Sequence, residues 1–147
     1  MGIRKCTRSD IEPIFSLLKE LDEALDEDQD ISIESIYHQY DEMIMQPEIY
    51  ENYIYEDSSI VIGFISLLNY RSFYHKNGTT QINELVVNSK YRNKGIGKEL
   101  LDFAIKKAKD NGMDEIEVGV MKDNYKAIEF YKKNGISDEY LILGKEF

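Results

Sequence analysis

Residues 82–104 constrain the fold of this 147-residue chain more than any other stretch. Ile82, Asn83, Glu84, Leu85, Val86 and Val87 read as an apolar strand. Residues 88–97 form a basic turn carrying Gly95 and Gly97, and Lys98 to Ala104 open an amphipathic helix. Without a Cβ, both glycines let the backbone turn tightly and approach a ligand closely. A turn of this kind delivers free N–H groups at a helix N-terminus, which suits an anion such as a pyrophosphate. Lys90, Arg92, Lys94 and Lys98 all precede the next acid, Glu99, and add fixed positive charge. The stretch is a phosphate-binding device.

Two common phosphate turns do not fit. A P-loop requires Gly-x-x-x-x-Gly-Lys-Ser/Thr, whereas here Glu99 follows Gly97 and Lys98, and Arg92 stands where the early glycine is due. A dinucleotide fingerprint requires Gly or Ala at a third position that Leu100 occupies. What remains is Arg92-x-x-Gly95-x-Gly97 directly behind a strand.

The rest of the chain predicts alternating elements. Residues 3–7 form a short strand, and Ser9 and Glu12 have capping-box spacing. Ile11, Phe15, Leu18, Leu21 and Leu25 then recur at helical spacing. An acidic loop over residues 26–30 precedes a second helix over residues 32–45, which Pro47 stops. Strands over residues 50–55 and 60–68 flank a turn at residues 56–59, with Gly63 marking close packing or a bulge. Asn77-Gly78 turns the chain into the strand over residues 81–87. The helix after Gly95 ends at Asn111-Gly112. A strand over residues 115–120, a helix from Asp123 or Asn124 to Lys133, and a last strand over residues 140–145 complete the chain.

That order, β-α-α-β-β-β-α-β-α-β, with Asn124-x-x-Ala127-x-x-x-Tyr131 after the fifth strand, resembles the GNAT superfamily of N-acetyltransferases over essentially the whole chain. The resemblance implies an α/β fold with a mixed sheet, a single domain over residues 1–147, and acetyl-CoA as cosubstrate with no metal. It implies that the backbone of Arg92, Asn93, Lys94, Gly95, Ile96, Gly97 and Lys98 holds the pyrophosphate. It also implies that the pantetheine arm lies along Leu85, Val86 and Val87 like an added strand. An N–H near Val86 or Val87 then faces the thioester oxygen. A bulge in this strand would splay its neighbour away and make room. Asn124 and Ala127 precede Tyr131 by seven and four residues, so the three share a helix face, which in the family lines the coenzyme tunnel.

Catalysis then needs an acid and a base. Tyr131 is the candidate acid, because a phenol can donate to a departing thiolate; a buried structural tyrosine is the alternative reading. Glu84 is the candidate base, directly or through water, since neighbouring Gln81 and Asn83 are not basic. It could instead bind a cationic acceptor.

Composition narrows the setting. Hydrophobic content of 42% fits a globular protein, and no apolar run approaches the ~20 residues of a membrane span. One cysteine, Cys6, gives no disulfide framework, as expected of a cytoplasmic protein, and suits a buried filler better than a nucleophile. A net charge of −10 argues against nucleic-acid binding. Fourteen acids and no lysine or arginine fall within residues 20–57, which predicts an amine acceptor bearing extra positive charge, such as a polyamine, an aminoglycoside or a basic peptide. A monomer or homodimer is expected. Two other functions fit the same pattern: an acyl-CoA-binding regulatory module without turnover, and a protein lysine or N-terminal acetyltransferase.

Overall fold

Strands rich in Ile, Val, Tyr and Phe pair into one sheet because their apolar faces need cover on both sides. The computed structural model describes residues 1–25 and 31–147; the acidic loop expected at residues 26–30 lies outside them. Five strands stand in sequence order: β1 (Gly2–Lys5), β2 (Tyr50–Asp57), β3 (Ile60–Tyr70), β4 (Thr79–Val87) and β5 (Glu115–Val118). All neighbours pair antiparallel except β4 and β5, which run parallel and are joined by a helical crossover.

Helices α1 (Ile11–Leu25) and α2 (Ile33–Met43) precede β2; α3 (Ile96–Asp110) and α4 (Tyr125–Lys133) flank β5. On one side of the sheet Ile14 and Leu17 of α1 bury against Cys6, Ile54, Phe64 and Val86. On the other, Leu100, Leu101 and Ala104 of α3 bury against Tyr53, Ile65, Leu67 and Ile82. Gly63 belongs to this second layer: a Cβ there would stand 3.0 Å from Leu100 Cδ1 and 3.3 Å from Tyr55 Cβ. Close packing is therefore the reason for that glycine.

Turns obey local rules with one substitution of partners. The entry to α1 is capped by Thr7 and Asp10 rather than by the Ser9–Glu12 pair: the Thr7 N–H donates to Asp10 Oδ2 at 2.7 Å. Asp10 is buried and accepts two bonds from the Arg4 guanidinium, so its pKa falls below the ordinary carboxylate value. The β2–β3 turn puts Ser58 and Ser59 at positive φ, as a tight two-residue hairpin demands.

The last expected strand is a correction. Residues 137–147 adopt no strand, and Tyr140, Leu141, Ile142 and Leu143 are exposed. Four consecutive apolar residues have high strand propensity but no alternation. Strand propensity alone, without alternation that buries one face, does not make a strand.

Candidate active site

The glycine turn is built from backbone. Asn93 (φ 62°) and Gly95 (φ 82°) are both left-handed, and Gly95 is the N-cap of α3. No side chain caps this end, so the first-turn N–H groups of α3 point out of the helix beside the left-handed turn, forming an anion-binding concavity. Open space surrounds Gly95, and a Cβ on Gly97 would touch only Phe130 at 3.7 Å and Val87 Cγ2 at 3.8 Å. The turn thus stands where the end of β4 and α4 meet. Its donors, its left-handed backbone and its clearance fit a pyrophosphate.

Three of the four cations near the turn already have local partners. Arg92 donates to the Val87 carbonyl at 3.1 Å and to Glu20 Oε1 at 3.3 Å. Lys98 pairs with Asp102 at 2.6 Å, and Lys94 lies 5.3 Å from the Tyr91 ring centre. The same Glu20 oxygen accepts from the Ser89 N–H at 2.5 Å, so α1 is tied to the phosphate turn. Fixed backbone donors, more than free side-chain charge, are what this turn offers an anion.

Strand β4 parts from β5 just ahead of this turn. Their parallel register runs from Thr79–Glu115 to Ile82–Val118 and ends there, leaving the β5-side edge of Leu85, Val86 and Val87 without a strand partner among the described residues. The cause lies one strand over. Ser66 pairs with Glu84 but Leu67 pairs with Ile82, so Asn83 is an extra residue in β4. This is the bulge the sequence reading called for, and it bends the strand where the split begins.

The same bulge decides where Glu84 points. In a regular strand Ile82 and Glu84 would share a face. With Asn83 inserted, Ile82 packs into the α3 layer while Glu84 turns to the α1–α2 side. There it lines a cavity of about 120 Å³ with Ile11, Ile14, Leu18, Ile36, Tyr40 and Phe64 among its apolar walls. Burial pushes the Glu84 pKa above the ordinary carboxylate value, partly opposed by the Ser66 hydroxyl. That shift brings a carboxylate closer to the range in which a base works at neutral pH.

Helix α4 supplies the opposite wall. Asn124 is its N-cap and accepts from the Ala127 N–H at 3.3 Å, which leaves the Asn124 side-chain NH2 available. Ala127 and Tyr131 are half-buried on the same helix face. Tyr131 packs with Phe130, Leu85, Val87 and Val118 against the α3 core, with a Phe130–Tyr131 edge contact at 5.2 Å. Burial raises the phenol to about 12, so it stays protonated through the neutral range.

Sequence reasoning missed the cavity itself. Gln39, Met43, Asn52 and Ser66 line it beside the residues named above. Two signals were available. Helix α2 has an apolar stripe yet buries no residue, and Ser66 interrupts an otherwise apolar β3. Cys6 also lines the cavity, with its thiol pushed to about 12 by burial and hence unreactive. The acidic segment behaves differently from its sequence reading: Glu20, Asp41, Glu51 and Glu56 pair with Arg92, Arg8, Lys107 and Arg4. No carboxylate from it lines the cavity among the described residues.

A parallel strand pair that parts beside a left-handed glycine turn, with a carboxyl on one side and a tyrosine on the other, is an arrangement suited to an acyl-transfer domain. The chain belongs to the acetyltransferase (GNAT) family, whose model matches residues 12–136. It is 34% identical over 84 residues to an uncharacterized N-acetyltransferase, MJ1207, of Methanocaldococcus jannaschii, covering 56% of this chain and 37% of that protein. It is 38% identical over 77 residues to the L-ornithine N5-acetyltransferase NATA1 of Arabidopsis thaliana, covering 52% of this chain and 33% of that protein. The matches thus span about a third of those relatives' length. The fold is similar to that of glucosamine-6-phosphate N-acetyltransferase from Arabidopsis thaliana, with a TM-score of 0.80, 22% identity, and coverage of 99% and 97% of the two chains.

Proposed function

We propose that this chain transfers the acetyl group of acetyl-CoA directly to a primary amine. The observation that carries the reading is the parting of β4 from β5 after Ile82 and Val118, with the α3 turn at its far end and Glu84 turned to the other face. The backbone of residues 92–98 holds the pyrophosphate, and the free edge of Leu85, Val86 and Val87 pairs with the pantetheine amide groups. Asn124 donates its free amide to that arm, and Ala127 leaves room for it. No metal is required for this chemistry.

Glu84, held in an apolar wall, accepts a proton from the incoming ammonium, directly or through water. The neutral nitrogen attacks the thioester carbonyl; the N–C bond forms and the C–S bond breaks. A backbone N–H near Val86 or Val87 stabilises the charge on the carbonyl oxygen. Tyr131 gives its proton to the departing sulfur and recovers one as the nitrogen loses its second proton. The products are an N-acetyl amide and free CoA.

An acceptor with a second positive charge remains the reading of the acidic segment, and the name of the ornithine-acetylating relative agrees with it. The ion pairs of Glu20, Asp41, Glu51 and Glu56 weaken that support, because they are already balanced within the chain. The test is release of free CoA thiol from acetyl-CoA with a panel of primary amines at low and high salt. Transfer to at least one primary amine is expected. Acetyl-CoA binding without thiol release on any amine would instead favour the regulatory module.

A further inference from the structure

The wall of the Glu84 cavity specifies more than an amine. Apart from Glu84 its described lining residues carry no carboxylate, lysine or arginine, and its polar groups are Gln39, Asn52, the Ser66 hydroxyl and the Tyr40 phenol. The remainder is Ile, Leu, Phe and Met side chains of α1, α2 and β3, with Cys6 just past β1. Ile14 and Phe64 are buried, yet α2, which closes the outer side, buries none of its residues. An amphipathic helix that leaves its apolar stripe only half covered is lining space rather than filling it.

The size of that space is also informative. At about 120 Å³ it is slightly smaller than the ~150 Å³ apolar cavity that accommodates a benzene-sized guest. A guest slightly smaller than benzene, such as an alkyl group of about four carbons, matches that volume. A second charge placed within that length would be held among apolar side chains without a partner, which is strongly unfavourable. The single carboxyl, half-buried, can balance a single ammonium.

We propose that the acceptor is a primary amine borne on a small uncharged apolar stem, an alkyl chain of about four carbons or a single ring, which fills this cavity with its amine at Glu84. Any further charge on the acceptor stands beyond the stem, outside the cavity. This class rests on the acetyl-transfer reading, and it excludes amines whose next charge lies within two or three bonds, such as glycine or ethylenediamine.

A homologous series from ethylamine to octylamine tests it, with CoA thiol release for turnover and saturation-transfer NMR on the CoA-bound protein for binding alone. Each added methylene should raise kcat/KM about fourfold, up to about four carbons, followed by a plateau. Ile36→Phe, which adds bulk to the α2 wall, should move the plateau to a shorter chain; calorimetric titration with acetyl-CoA checks that this variant is folded. The wild-type series stands without it. A flat dependence on length, or glycine or ethylenediamine outrunning butylamine, overturns the proposal even if thiol is released. Butylamine binding in the NMR experiment with no thiol release from any amine would uphold the cavity assignment and sink acetyl transfer. Absence of alkylamine binding would overturn the cavity assignment.

Discussion

The two sides of β4 solve recognition in opposite ways. Toward α3 and α4, the proposed coenzyme site is made of backbone: left-handed Asn93 and Gly95, unpartnered first-turn N–H groups, and the free edge past Val118. Toward α1 and α2, the proposed acceptor site is made of side chains drawn from α1, α2, β2, β3 and β4, with Cys6 just past β1, around one half-buried carboxyl. A backbone site is carried by a short contiguous motif and tolerates change in most side chains. A side-chain cavity can be respecified by any wall residue. The coenzyme half should therefore be sensitive to few substitutions and the acceptor half to many.

The largest expected effect comes from the chemistry both halves share. Tyr131→Phe keeps the ring and removes only the hydroxyl, so kcat should fall roughly 10²–10⁴-fold with acetyl-CoA affinity nearly unchanged. Steady-state kinetics with calorimetry checks this; wild-type turnover would make Tyr131 structural. Next is Gly97→Glu, which adds bulk and negative charge at the turn where only Phe130 and Val87 lie near. It should weaken acetyl-CoA about 10–100-fold, the worth of one or two charge-assisted hydrogen bonds, in a protein whose circular dichroism is unchanged. Unaltered affinity would remove the turn from the coenzyme site.

Glu84→Gln separates the halves by pH. The base should give kcat/KM a rising limb centred above the ordinary carboxylate value, because burial raises its pKa. The variant should lose that limb while binding acetyl-CoA as wild type does. Stability supplies an independent readout. With the folded pKa above the unfolded one, the folded state binds more protons within that window, so the ionised carboxyl opposes folding above it. Glu84→Gln should thus raise Tm at neutral pH, and the gain should vanish below about pH 4, where Glu84 is protonated in both states. A Tm difference that does not depend on pH would mean that desolvation does not raise the Glu84 pKa.

The smallest expected effect concerns the tie between halves. Glu20→Gln loosens the contact to Ser89 and Arg92. An exposed pair is worth about 0–1 kcal/mol, so Tm should scarcely move, while acetyl-CoA affinity should rise a few-fold as a carboxylate leaves the phosphate turn. Weaker binding would show that Glu20 instead holds the turn in its competent shape.

What the sequence determined is local. Gly95 and Gly97, the strand before them, and the Asn124, Ala127 and Tyr131 face are contiguous or helical in spacing, so chain stereochemistry alone brings their parts together. Tertiary structure decided the rest. Glu84 reaches the α1–α2 side because register against Ser66 and Leu67 forces Asn83 out of the ladder, and pairing register is a property of two strands. The acidic run over residues 20–57 looked like an electrostatic lure until folding brought Arg4, Arg8, Arg92 and Lys107 against four of its members. Residues 140–145 have strand propensity yet form no strand, since propensity without a buried face does not fix a register. The cavity belongs to no segment at all. It is the space left where α2 crosses the sheet without burying its apolar stripe, and only the packing of separate elements can set the shape of such a space.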